Sequence, residues 1–478
     1  MRALLLRQPY ERQVLVIYVA AIFMTVIDAT MVNVALPRMA EQFGVEPNRA
    51  EWVAIGYLLA VATVIPAAGW LGDRFGTRRI FLIALTAFTA TSLLCGSAQS
   101  LDQLVAARVA QGLGGGLILP IGSAMLFRAF PLNRRATAAA AVLSVAVLAP
   151  ALGPLIGGVI VDQASWRWIF LINLPIGAVA LVLAAASLRE EIQEDPGRLD
   201  LLGLVLSGGS VGLLLYTMSI GPDRGWTSPT VLGLAALGVA GLVAAVVTEL
   251  RVEQPALALR LFRDRLFRDM NLASSMIYAG FFGQMFVLPI YLQSLRGYSA
   301  ATSGLVQSPQ ALGVLVISNL VGQRAYRTIG PRRLMVWGTL VAAAATLAFG
   351  RFDLETSLYV VALAGFVRGL AMGLVFISIQ TAVYATTSHA DTGRATSLFS
   401  TQRQISYAGG TALAATVLTA GLHGLGGDAP AADRLGAHQW AFAALGLVML
   451  PGALLSTRLR DEDVADTMTV EPTAVGTG

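Results

Sequence analysis

Asp28 and Arg108 are the residues whose chemistry fits their surroundings least, because each stands inside a long apolar run. An ionisable side chain at membrane depth costs several kcal/mol unless it is paired or hydrated, so such a residue points to function. Asp28 lies within Val26-Ile-Asp-Ala-Thr-Met-Val-Asn-Val-Ala-Leu-Pro37, and it is the only one of the 28 acids that falls deep in such a run. It comes eight residues before Leu36, and Arg108 comes seven after Leu101. Helix rise then puts both at roughly 10–12 Å from one membrane boundary, an acid and a base at one depth. Two chemistries follow. Asp28 takes up and releases a proton, with Arg108 favouring its charged form and desolvation its neutral form; or the two make a fixed pair that never titrates.

The elements that must position this pair are membrane spans. The 478 residues are 56% hydrophobic and only 13% charged, where soluble domains carry about 25% charged residues. That balance excludes a soluble chain of this size and leads to an all-α polytopic membrane protein. Fourteen runs have the length of a span: 14–36, 52–71, 80–98, 101–127, 136–161, 168–188, 201–220, 231–250, 270–292, 303–323, 334–350, 357–382, 395–419 and 440–456. The net charge of +5 belongs to loops rather than to nucleic-acid binding. All 33 basic residues are Arg. With the N-terminus inside, 23 fall on inner segments and 7 on outer ones, which puts both termini in the cytoplasm; Arg108, Arg368 and Arg403 lie within spans. An arginine-only, Ala- and Gly-rich composition suits a GC-rich bacterial genome. Cys95 is the single cysteine, so no intrachain disulfide can form. The basic, apolar start carries no cleavage site and reads as an uncleaved first helix.

The chain repeats itself weakly. Gly76-Thr-Arg-Arg79 is echoed by Gly330-Pro-Arg-Arg333, and Gln111-Gly-Leu-Gly-Gly-Gly-Leu117 by Arg368-Gly-Leu-Ala-Met-Gly-Leu374, at offsets of 254 and 257 residues. Two parallel six-span halves with an inserted pair account for this register. The expected organisation is a cytoplasmic N-terminus (1–13), an N-terminal six-helix bundle (14–188), a cytoplasmic linker (189–200), an inserted transmembrane pair (201–250), a cytoplasmic amphipathic linker on the inner membrane surface (251–269), a C-terminal six-helix bundle (270–456) and a disordered cytoplasmic tail (457–478).

Two further stretches carry specific physical content. Gly69-Trp-Leu-Gly-Asp-Arg-Phe-Gly-Thr-Arg-Arg79 joins the second and third spans through glycines that permit close approach, with Asp73 able to sit at a helix N-terminus or pair with arginine. Ala149-Pro-Ala-Leu-Gly-Pro-Leu-Ile-Gly-Gly158 sets small residues at helical spacing, a groove for another span, with Pro154 as a kink.

Taken together these stretches resemble the major facilitator superfamily, and within it the fourteen-span drug:proton antiporter branch (EmrB/QacA-type). The second-to-third loop looks like the family's signature at Gly69, Leu71, Asp73, Arg74, Gly76 and Arg78, departing at Gly72 and Thr77. The resemblance implies that Gly69, Asp73, Arg74, Gly76 and Arg78 belong to a cytoplasmic gate. Leu104-Val-Ala-Ala-Arg-Val-Ala-Gln-Gly-Leu-Gly-Gly-Gly116 resembles the fourth-span motif, with Arg108 in the position linked to proton handling. Gly153, Pro154, Gly157 and Gly158 match the antiporter motif of exporters, with Ala149 in place of its leading Gly. Trp166-Arg-Trp-Ile-Phe-Leu-Ile-Asn-Leu-Pro-Ile-Gly177 and Gly393-Arg-Ala-Thr-Ser397, followed by Gln402, Arg403 and Gln404, look like this branch's sixth and thirteenth spans.

The resemblance implies the major facilitator fold, two six-helix bundles plus an inserted pair, in the bacterial inner membrane. The expected function is proton-coupled efflux of amphipathic or toxic small molecules by alternating access, with Asp28 and Arg108 in proton coupling. The partners are a small amphipathic substrate, protons and lipid, with no nucleic acid and no ATP, and the chain acts as a monomer. No cofactor is expected beyond the proton gradient as energy source, and lack of Lys rules out a Gly-x4-Gly-Lys-Ser/Thr nucleotide loop. No residue is read as catalytic, and His389, His423 and His438 are read as loop residues too scattered for a metal. Substrate-cavity candidates are Tyr57, Gln111, Tyr278, Phe282, Gln284, Met285, Gln307, Arg368 and Gln380. Arg368 takes the position of Gln111 in the repeat, either to contact an anionic substrate group or to balance a charge. The alternatives are a dedicated exporter of one metabolite, antibiotic, siderophore or lipid, and a membrane sensor or scaffold that transports nothing.

Overall fold

A computed structural model describes residues 8–192, 201–251, 259–422 and 430–468. Parts of the expected N-terminal segment, both linkers and the tail, together with His423, lie outside the described residues. No strand occurs among the described residues. The long helices are α1 (Tyr10–Phe43), α2 (Trp52–Phe75), α3 (Thr77–Ser97), α4 (Leu101–Ala129), α5 (Arg135–Gln163), α6 (Arg167–Ser187), α7 (Leu201–Arg224), α8 (Pro229–Arg251), α9 (Arg265–Leu295), α10 (Thr302–Gly322), α11 (Pro331–Phe349), α12 (Leu358–Ala382), α13 (Thr392–Leu422) and α14 (Ala431–Ser456). Thirteen described segments are long and apolar enough to cross a membrane; α7 qualifies only as the shorter apolar helix Leu202–Met218.

Several helices outrun their apolar sequence. The run 14–36 sits within the 34 residues of α1, about 51 Å of helix against a hydrocarbon layer of ~30 Å. Composition marks only the lipid-immersed part, while backbone hydrogen bonding continues into the headgroup region. For the same reason α14 begins at Ala431, so His438 is a buried helical residue rather than a loop residue, its Nδ1 3.0 Å from the Arg434 carbonyl. The amphipathic linker also ends sooner than 269. The Asp264 carboxylate accepts from Phe267 N at 2.7 Å, an N-cap that starts α9 at Arg265.

The chain divides into two compact units. One comprises residues 1–129, 145–261 and 388–408, the other 130–144, 262–387 and 409–478. In the first, α4 packs on α2, α3 and α1, and α6 on α1 and α3. The added pair α7 and α8 pack on each other, and α7 meets α2 through Gly208 and Gly212, whose missing Cβ atoms leave room for Thr63. Only 17% of the apolar window of α8 is buried, so this helix presents its aliphatic side chains to lipid. In the second unit, α12 packs on α10 and α11, and α14 on α9 and α11.

The repeat has a backbone counterpart. Gly76 before α3 and Gly330 before α11 both hold positive φ, 94° and 87°. A carboxylate fills the space beside each glycine and caps the helix that follows. Glu190 accepts from the backbone N–H groups of Arg78 and Arg79 at 3.1 and 3.2 Å, and Asp461 from that of Arg332 at 3.1 Å. Anions at helix N-termini are stabilised by the free amides and the helix dipole. Asp461 belongs to the segment expected as disordered tail. Residues 461–468 are instead helical, and the Thr467 hydroxyl lies 2.7 Å from the Tyr326 hydroxyl. Burial of Val464 and Thr467 supplies the order that the polar composition concealed.

Candidate functional site

In the first unit Asp28 is wholly buried and surrounded by donors. Its Oδ2 accepts from Arg108 Nη1 at 2.6 Å; its Oδ1 accepts from Asn173 Nδ2 at 2.6 Å and Gln111 Nε2 at 3.2 Å. Arg108 is 1% exposed, donates Nε to the Val53 carbonyl at 3.1 Å and lies over the Tyr57 ring, 4.1 Å from its centroid. Ser92 accepts from Gln111 at 2.7 Å, and Cys95 Sγ donates to Gln111 Oε1 at 3.6 Å. Three spans thus meet at one carboxylate, α1, α4 and α6, and α2 and α3 join the cluster through Arg108 and Gln111. The sequence placed Asp28 and Arg108 at one depth, and here they are joined. Gln111 and Tyr57, read from sequence as cavity residues, belong to this cluster.

Asn173 and Ser92 are members that sequence reading did not single out. Asn173 lies near the start of α6, on the side of the helix from which its amide reaches Asp28. An amide in an apolar run, inside the quoted sixth-span stretch, was its available signal. Ser92 carried none, since serine in a span commonly bonds to its own helix, as Ser92 also does to Phe88.

The small residues of α5 hold it against α1 beside this cluster. A Cβ on Gly153 would strike Thr30, and one on Gly157 would come within 3.2 Å of Met31. Gly158 faces open space, so it takes no part in that approach. Pro154 lies in the same helix with its side chain outside the described set.

The loop residues separate into two groups. Asp73 is buried and paired with Arg128 Nη2 at 3.0 Å, with Arg394 Nε at 3.9 Å. Gly69 belongs with it. In α2, Pro66 lies in a 3₁₀ turn, and the Ser397 hydroxyl of α13 enters the backbone ladder, donating to the Ile65 carbonyl at 3.1 Å and accepting from Gly69 N at 2.8 Å. A Cβ on Gly69 would stand 2.9 Å from the Gly393 carbonyl, so only glycine permits this insertion. Gly76 and Arg78 turn to the C-terminal end of α6 and the chain beyond it: Arg78 Nη2 donates to the Ala185 carbonyl in the last turn of α6 at 2.7 Å, and Glu190 follows; Arg74 is exposed.

In the second unit Arg368 is fully buried, and all five of its N–H groups donate: Nε to Thr346 Oγ1 at 2.8 Å, Nη1 to Gln284 and Gln310 at 2.7 and 2.9 Å, and Nη2 to the Gly280 and Phe281 carbonyls at 3.3 and 3.2 Å. Tyr278 and Phe282 stand beside it in an aromatic group with Phe281 and Phe376. Met285 is 39% exposed, Gln307 bonds back to Ser303 of its own helix, and Gln380 is half-buried, so these three do not join Arg368. Arg403 is half-buried in α13. No group of three or more metal-ligating side chains occurs among the described residues.

Comparison with known proteins gives consistent matches. The Major Facilitator Superfamily profile matches residues 18–268 and 270–475. The multidrug transporter protein MdtP of Bacillus subtilis is 33% identical over 429 residues, 89% of this chain and 79% of that protein. The multidrug resistance protein B homolog of Mycobacterium tuberculosis (strain H37Rv) is 35% identical over 405 residues, 84% of this chain and 75% of that protein. Among solved structures, the human organic anion transporter MFSD10 (TETRAN) aligns with a TM-score of 0.70 at 17% identity, covering 94% of this chain and all of that one, a likeness of fold.

Proposed function

This chain belongs to the major facilitator superfamily, and on that premise we propose that it exports amphipathic, drug-like small molecules across the bacterial inner membrane in exchange for protons. The observation that carries this reading is the buried carboxylate of Asp28 with an arginine, two amides and a hydroxyl gathered about it. A purely structural ion pair also needs its remaining lone pairs satisfied, but it does not call for partners in a second protonation state. A carboxylate that is alternately ionised and protonated does, because Gln111 and Asn173 keep it hydrogen-bonded in one state, and Arg108 keeps Gln111 Oε1 and the Val53 carbonyl as acceptors when the acid is neutral. Relatives named as a multidrug transporter and a multidrug resistance protein homolog support drug-like substrates over a single dedicated metabolite.

In the proposed cycle, protonation of Asp28 from outside releases Arg108, and the cluster rearranges as access alternates. The gate residues Asp73, Arg128, Arg394 and Ser397 hold the inner ends of α2 and α13 together, and they part when the inner side opens. Energy comes from the proton gradient without a cofactor, both termini face the cytoplasm, and the monomer is the working unit. The test is drug-driven proton exchange in proteoliposomes. Asp28→Asn is expected to abolish pH-gradient-driven flux while the protein remains inserted and monodisperse. Wild-type flux from that variant sinks the proposal.

A further inference from the structure

The two halves of the repeat place related polar residues around their buried arginines, and comparing the two clusters shows what the second one lacks. Asp28 corresponds to Gln284, Ser92 to Thr346, Gln111 to Arg368 and Tyr57 to Gln310, at offsets of 253 to 257 residues. In the first unit the guanidinium meets a carboxylate. In the second the guanidinium is kept, one helical turn further along, and the carboxylate has become an amide. Among the described residues every acceptor around Arg368 is neutral: a hydroxyl, two amide oxygens and two backbone carbonyls. These satisfy its hydrogen bonds and leave its charge uncompensated, and an unpaired buried charge is costly.

A second observation concerns Gln284. Its Oε1 is committed to Arg368, which fixes the amide orientation, and its Nε2 has no acceptor although the side chain is completely buried. A cation and a stranded donor stand together with an aromatic wall of Phe281, Tyr278, Phe282 and Phe376. The Arg368 guanidinium itself lies 4.7 Å from the Phe281 centroid. Charge, donor and wall match a planar apolar body that carries one anionic group.

We propose that Arg368 and Gln284 form an anion-recognition subsite of the second unit, where the carboxylate or sulfonate of an amphipathic aromatic substrate supplies the negative charge that Asp28 supplies in the first. The substrate oxygen accepts from Gln284 Nε2 and displaces one of the neutral acceptors of Arg368, while its ring packs on the aromatic group. This names the substrate class of the exporter reading and rests on it. Outward movement of an anion together with inward movement of a proton carries charge in one direction, so the membrane potential drives such an exchange as well as the pH gradient.

The test uses purified protein and two probes that share a ring system, anilinonaphthalene sulfonate and uncharged phenylnaphthylamine, with calorimetric titration. The wild type is expected to bind the sulfonate at least tenfold more tightly than the neutral probe. Gln284→Glu places a carboxylate beside Arg368, so it is expected to raise the thermal midpoint, to erase the preference, and to leave the neutral probe within twofold. Arg368→Gln erases the same preference, and if it fails to fold Gln284→Glu still decides. Equal wild-type affinities, or a preference that survives Gln284→Glu, overturn the subsite. Flux in proteoliposomes separates this from the exporter reading. Anion preference without gradient-driven flux of either probe retains the subsite and removes the exporter. Driven flux of the neutral probe, with no anion preference, removes the subsite and retains the exporter.

Discussion

Arg108 Nη1 serves two acceptors, Asp28 Oδ2 and Gln111 Oε1, each at 2.6 Å. Removing the cation therefore strands Asp28 Oδ2 and leaves Gln111 Oε1 with only the weak Cys95 Sγ donor. Arg108→Gln is expected to cost about 3–5 kcal/mol, the range for a buried pair broken on one side. Asp28→Asn/Arg108→Gln recovers most of that loss, because no charge is left buried. Thermal midpoints of the two single variants and the double variant in detergent measure the coupling. Asn173→Ala removes one charge-assisted hydrogen bond and is expected to cost about 1.5–3 kcal/mol by the same readout. It also slows proton-driven flux without abolishing it, since Arg108 and Gln111 remain on the carboxylate. The presence of Asp28 and Arg108 within apolar runs was legible from sequence, and their equal expected depth made them candidates for the pairing seen here. Asn173 carried the signal of an amide in an apolar run and was passed over, whereas Ser92 carried none, because a serine hydroxyl in a span commonly bonds to its own helix.

Helices are positioned here by what their glycines lack. Gly153 and Gly158 lie five residues apart on α5, but only the first touches α1. Gly153→Ala presses on Thr30 and is expected to lose about 1–3 kcal/mol through overpacking. Gly158→Ala meets open space and is expected to be neutral or to gain ~0.5–1 kcal/mol from reduced chain entropy. Midpoints that shift alike in the two variants contradict this assignment of faces. Gly76 presents a different constraint, a φ of 94° that L side chains rarely adopt, with the Glu190 carboxylate where a Cβ would stand. The sequence motif marked Gly76 but gave no hint of Glu190, 114 residues away. Its counterpart Asp461 lay in a stretch whose polarity alone suggested disorder.

At the scale of the molecule, the arginine asymmetry predicts sidedness. With both termini cytoplasmic, a cysteine at Thr227, between α7 and α8, faces outward, and one at Thr457, after α14, faces inward. Both positions are exposed, and the native Cys95 is buried and contributes no label. A membrane-impermeant maleimide is expected to label Thr227→Cys in intact cells and Thr457→Cys only after permeabilisation. The opposite pattern reverses the orientation.

The order of the long helices, the repeat and the presence of charged residues within apolar runs were legible in the sequence alone. Transfer into lipid is paid residue by residue along one segment, so local composition records it. Which side of each span faces its neighbours was decided by the tertiary structure. Lipid tails and helix interfaces are both apolar, so hydropathy differs little around such a helix and does not reveal its rotation. The contacts that give Asp28 its shell join residues 80 to 145 positions apart. Those that leave Arg368 among neutral acceptors span 22 to 88 positions and depend likewise on helix rotations set by close packing.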